Sequence, residues 1–207
     1  VRWLPSATEN AVGPSLKDPR TDEIIDADVQ TYLNVMNLTR SWYFTQVGPL
    51  DKRAQKLPFP DSLTGRLLEY VTAHEVGHTL GLMHNQIAST AHTVAQMRDP
   101  AFANRYGPNS SIMAYGRFNQ VAQPGDGVTN FVPKIGPYDY FAIEWGYKPL
   151  GKASAEEEVA ELDLMAAKQI DRPELRFGGE DLVSFFDTDV LMENIGRERV
   201  AATKLSL

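Results

Sequence analysis

The sequence predicts a mixed α/β fold, α+β in layout, and three features carry that expectation. Alternating apolar residues near the N-terminus read as short strands. An apolar stripe of helical period, Leu63, Leu67, Leu68 and Val71, runs on to Leu80. Helix signals dominate the second half. At 207 residues the chain has the size of a single domain and can bury a real core.

The elements follow in order. Segments 11–17 and 23–29 flank the turn-forming run Asp18-Pro19-Arg20-Thr21-Asp22 and are expected to pair as a hairpin. Residues 30–46, QTYLNVMNLTRSWYFTQ, space their apolar groups near the helical period and read as a helix. LPFPDS breaks the chain, and Asp61 or Ser62 is the expected N-cap of the next helix. Gly81 should end that helix, because glycine enters the left-handed region without steric cost. Pro137 should open a short helix that Gly146 closes. Ser154 and Glu157 have capping-box spacing, and the acidic run after them reads as a solvated face. The chain starts at Val1 without an initiator Met and ends in a helix pattern still running, ERVAATKLSL; both suggest a piece of a longer protein.

Composition narrows the function classes. A net charge of -7 argues against nucleic acid or an anionic membrane as partner. Every apolar run stops well short of the roughly 18 residues of a membrane span, so no membrane insertion is expected. The absence of cysteine removes disulfides and thiolate chemistry. No GxSxG supports a serine hydrolase, and FGGED lacks the Lys-Ser/Thr of a phosphate loop.

The chemistry lies in YVTAHEVGHTLGLMHN, which holds three of the four histidines. Positions four apart share a helix face, so the rings of His74 and His78 can converge on one ion. Glu75 is rotated from His74 by roughly 100°, too far to be a ligand but able to lean over an open coordination position. His84 cannot share that face on a straight helix; a sharp turn at Gly81 would bring it back. Three neutral imidazoles suit Zn²⁺ and leave the fourth position to water, which would ionise near pH ~7. Glu75 is then the candidate general base. His92 falls outside this pattern and reads as a surface residue.

HEVGHTLGLMH resembles the HExxHxxGxxH motif of the metzincin clan of zinc peptidases. Ser111-Ile112-Met113-Ala114-Tyr115 is similar to the clan's Met-turn, which makes Met113 the methionine of that turn. Tyr115 matches a tyrosine that astacins and serralysins place near zinc, and so is a candidate oxyanion stabiliser. Asn85, directly after the third histidine, fits none of the common metzincin families. GPSLKDPRT, VTAHEVGHTLG and VPKIGPYDYFAIEWGY are closer to the met-zincin domain of large bacterial zinc-dependent metalloproteases.

The resemblance implies a zincin-like fold. An upper subdomain, residues 1–81, would hold a twisted mixed sheet and the active helix; a mostly helical lower subdomain, 82–207, would carry the Met-turn, with the cleft between. Such an upper subdomain has more strands than the sequence shows. The implied activity is a zinc-dependent metalloendopeptidase, secreted or in the periplasm or envelope, acting on peptide or protein substrates. The hairpin would supply the sheet's edge strand, with Val12, Gly13, Pro14, Ser15 and Leu16 pairing to an extended substrate. The alternative is a zinc-containing binding or adhesion module of a larger envelope protein. Asp126 and Asp139 could serve a structural calcium, but scattered carboxylates do not argue for one.

Overall fold

The computed structural model describes residues 1–179 and 186–206. Glu180 and Asp181 of FGGED lie outside them. Five short strands lead the chain: β1 (Arg2–Leu4), β2 (Ala11–Val12), β3 (Ser15–Lys17), β4 (Ile24–Ala27) and β5 (Gln30–Tyr32). They form two sheets. In the first, ordered β1-β5-β2, β5 pairs parallel to β1 and antiparallel to β2, so that sheet is mixed. In the second, β3 and β4 pair antiparallel, Ser15 opposite Ala27, around the expected turn.

Two sequence expectations are corrected here. Segment 11–17 is not one strand, because the chain leaves the first sheet at Gly13-Pro14 and enters the second at Ser15. The helix read over 30–46 begins only at Val35: residues 30–32 are the central strand of the mixed sheet. Tertiary pairing has overridden a weak local preference, as β propensity allows.

Helix α1 (Val35–Val47) buries Val35, Thr39, Tyr43 and Val47, one residue per turn, along a single face. Helix α2 (Asp61–Thr79) packs on it, burying Leu63, Leu67, Tyr70, Val71, His74, Glu75 and Gly77. His74 thus continues the core stripe. Tyr43 meets Phe118 edge-on at 4.9 Å, and Tyr70 meets the same ring at 5.9 Å. The N-cap of α2 is Pro60, not Asp61 or Ser62; Asp61 sits in the first turn, where a carboxylate favours the helix dipole.

The rest is helical and irregular: α3 (Val94–Arg98), α4 (Pro100–Tyr106), α5 (Pro137–Tyr147), α6 (Ala155–Ala167) and α7 (Arg199–Ser206). Helix α5 runs through Gly146 to Tyr147, whose hydroxyl donates to Leu80 O at 2.8 Å. Ser154 is the N-cap residue of α6 but makes no side-chain cap bond. Glu157 instead accepts from the amide of Ala153 at 3.3 Å. None of the helices among the described residues is long and apolar enough to cross a membrane.

Candidate metal centre

Helix α2 ends in a Schellman turn. Gly81 N–H donates to His78 O at 2.9 Å and Leu82 N–H to Gly77 O at 3.0 Å, with Gly81 at φ 87°. That reversal returns the chain over the last turn of the helix and puts His84 beside His78. The two Nε2 atoms are 3.1 Å apart, and one ring nitrogen from each of His74, His78 and His84 falls within 4.8 Å of the others.

The tautomers of two rings follow from their partners. His74 Nδ1 lies 2.9 Å from Ile112 O and His78 Nδ1 lies 2.9 Å from Leu82 O. A carbonyl only accepts, so both Nδ1 atoms carry the proton and both Nε2 lone pairs point inward. Burial pulls His74 down to about 4, so that ring is neutral at physiological pH. A tetrahedral ion with bonds of about 2.0–2.1 Å needs ligand nitrogens roughly 3.3 Å apart. The convergence of these nitrogens fits a divalent metal ion.

Glu75 is 7 % exposed and lines the same cavity, and burial raises its carboxyl to about 7. The cavity, about 640 Å³, has its apolar walls in Val35, Leu38, Trp42, Tyr70 and Val71. Val12, Gly13 and Ser15 border it, whereas the side chain of Leu16 is exposed and Pro14 is not part of the wall. Tyr115 lines the same cavity, its hydroxyl 2.8 Å from His84 Nε2. Two residues on, Arg117 at φ 50° lays its guanidinium over Trp42, 3.5 Å from the ring centroid, and pairs with Glu193.

Met113 is fully buried against α2, and Gly77 makes room for it. A Cβ at Gly77 would collide with the Met113 sulfur and lie 3.3 Å from its Cε. The second variable position of the HEVGH run is therefore shaped by the methionine. Asn85 is also fully buried. Its side-chain amide donates to Arg176 O at 2.9 Å, its carbonyl accepts from Gly178 N at 2.9 Å, and its backbone N–H donates to Met113 O at 3.1 Å. It clamps a distant segment to the methionine turn beside the third histidine.

Asp139 has a role that spacing did not reveal. It is 4 % exposed and accepts from Ser111 Oγ at 2.6 Å, Gly136 N at 2.7 Å and Ile112 N at 2.8 Å. The available signal was its position, the third residue of a helix opened by Gly136-Pro137, where an acidic side chain caps. Asp126 is occupied by Arg98 at 2.8 Å. His92, expected at the surface, is 4 % exposed and packs edge-on against Phe102 at 4.9 Å. The aromatic neighbour and the carbonyls of Gly107 and Pro108 draw it inward; it does not belong to the metal-competent trio.

A buried glutamate beside three converging histidines, in a cleft at the end of a helix, defines a zinc metallopeptidase-like domain. A family model described as Met-zincin matches residues 56–207, and the chain belongs to that family. The match takes in α2, the histidines and the methionine turn, and starts after the five strands and α1. No curated protein and no solved structure matches the chain.

Proposed function

We propose that this domain is a zinc-dependent metalloendopeptidase, in which His74, His78 and His84 hold the ion and Glu75 is the general base. The carrying observation is the pairing of inward Nε2 lone pairs with a buried carboxyl on one cavity wall. When bound, a divalent ion supplies Lewis acidity, polarising a carbonyl and making water a stronger acid at neutral pH.

The chain's own groups do the rest. Glu75 takes the proton of the attacking water and later passes it to the departing amine. Tyr115 donates its hydroxyl to the developing oxyanion, having given up its bond to His84 once that ring's lone pair is engaged. Among the described residues strand β2 pairs along one side, with β5, and its residues Ala11 and Val12 border the cavity. Its outer edge is the proposed seat of an extended peptide, with Val12 to Leu16 leading the substrate past the site. The apolar recess between α1 and α2 would take one of the substrate's side chains.

A general base is superfluous in a module that only binds, and Glu75 favours hydrolysis over adhesion for that reason. A secreted or envelope location goes with this reading. The test is Glu75→Gln: hydrolysis of a quenched-fluorescence peptide should vanish while zinc stays bound. Unchanged turnover in that variant would end the assignment of Glu75.

A further inference from the structure

The groups behind His74 form a single chain of hydrogen bonds. Ser111 Oγ donates to Asp139 Oδ1 at 2.6 Å and accepts from Met113 N–H at 3.0 Å. The peptide unit bearing that N–H also bears the carbonyl of Ile112, which accepts from His74 Nδ1 at 2.9 Å. Asp139 grips the same turn a second time, through Ile112 N–H at 2.8 Å. Asp139 is 4 % exposed and Ser111 fully buried, so little water screens the carboxylate.

We propose that Asp139 and Ser111 are positioning residues for His74: carboxylate, hydroxyl and one peptide unit act in series to orient and polarise its imidazole. Electron density pushed along this line strengthens the hydrogen bond from Nδ1–H to Ile112 O and makes Nε2 a better donor to a metal. A carboxylate directly on a ligand histidine does the same elsewhere; here a peptide group is inserted between them. The Nδ1 of His78 faces a different carbonyl, Leu82 O at 2.9 Å, and its proton serves as the internal reference. The inference rests on the reading of His74 as a metal ligand.

The test uses the whole chain with Ser111→Ala and Asp139→Asn. In the alanine variant the Met113 N–H loses its acceptor. Zinc affinity, measured by chelator competition, should fall by about 10- to 100-fold. In the metal-free protein the His74 Nδ1 proton resonance should move upfield, with that of His78 unmoved. Asp139→Asn can still accept from the two amides but carries no charge, and should shift the His74 proton in the same direction. Wild-type zinc affinity with an unmoved His74 proton in Ser111→Ala would overturn the proposal. Equal movement of both histidine protons, the mark of general loosening, would overturn it too. Should Asp139→Asn fail to fold, Ser111→Ala, which deletes one hydroxyl, decides alone. Failure of the unmodified chain to bind zinc would sink the metal reading instead, since the metal-free spectra read the relay separately.

Discussion

Gly13→Ala probes how the strands are held against the active helix. A Cβ at Gly13 would sit against the carbonyl oxygen of Glu75, 3.0 Å from its carbonyl carbon and 3.2 Å from the Cβ of His78. Carbon atoms in contact prefer about 3.5–4.0 Å. Strand and helix must therefore part by at least ~0.5 Å, and the opposing atoms are helix backbone that cannot turn aside. No left-handed backbone is involved at Gly13, so contact alone sets the cost. Overpacking of this kind costs about 1–3 kcal/mol, or a fall in Tm of roughly 2–12 °C for a domain this size. The displaced residues include Ala11 and Val12 at the edge of the cavity. Differential scanning calorimetry and peptide hydrolysis are the assays. We expect the lower Tm together with a raised KM, a nearly unchanged kcat and full zinc content. A variant as stable as the parent, with the same KM, would refute the close packing of strand on helix.

Gly77→Ala should cost less than Gly13→Ala, under about 1.5 kcal/mol by urea denaturation, because the opposing Met113 thioether can bend away. Asn85→Ala removes a fully buried side chain and strands its part-buried partners Arg176 O and Gly178 N–H, and should destabilise by about 1–3 kcal/mol in the same assay. Burial holds His92 at about 4, against 6.5 for a free imidazole, so between those values the unfolded chain binds more protons. Its contribution to stability is complete above pH 6.5 and falls away as the pH drops toward 4, by about 3 kcal/mol in all. Unfolding of metal-free protein across that window should show a shallower acid loss in His92→Asn than in the parent.

The long helix and its end were legible because periodic apolar residues and a left-handed glycine are local signals. Leu63 to Val71 mark the buried face, and Gly81 adopts the positive φ its place demanded. The bearing of His84 was legible for the same reason. What escaped depended on partners far along the chain. Residues 30–32 became a strand only because β1 and β2 flank them. Nothing near Asp139 in sequence announces that it reaches back to Ser111 and Ile112, and His92 is buried by Phe102 and the carbonyls of residues 107 and 108. Asn85 stood out only as an unusual residue after the third histidine; its reason lies about ninety residues downstream, at Arg176 and Gly178.

X-ray absorption at the zinc edge, on the domain purified without added chelator, tests the histidine tripod most directly. The expected spectrum shows one zinc per chain with three imidazole nitrogens at about 2.0–2.1 Å and a light-atom fourth ligand. A chain that retains no zinc, or a zinc shell with fewer than three imidazoles, would contradict it.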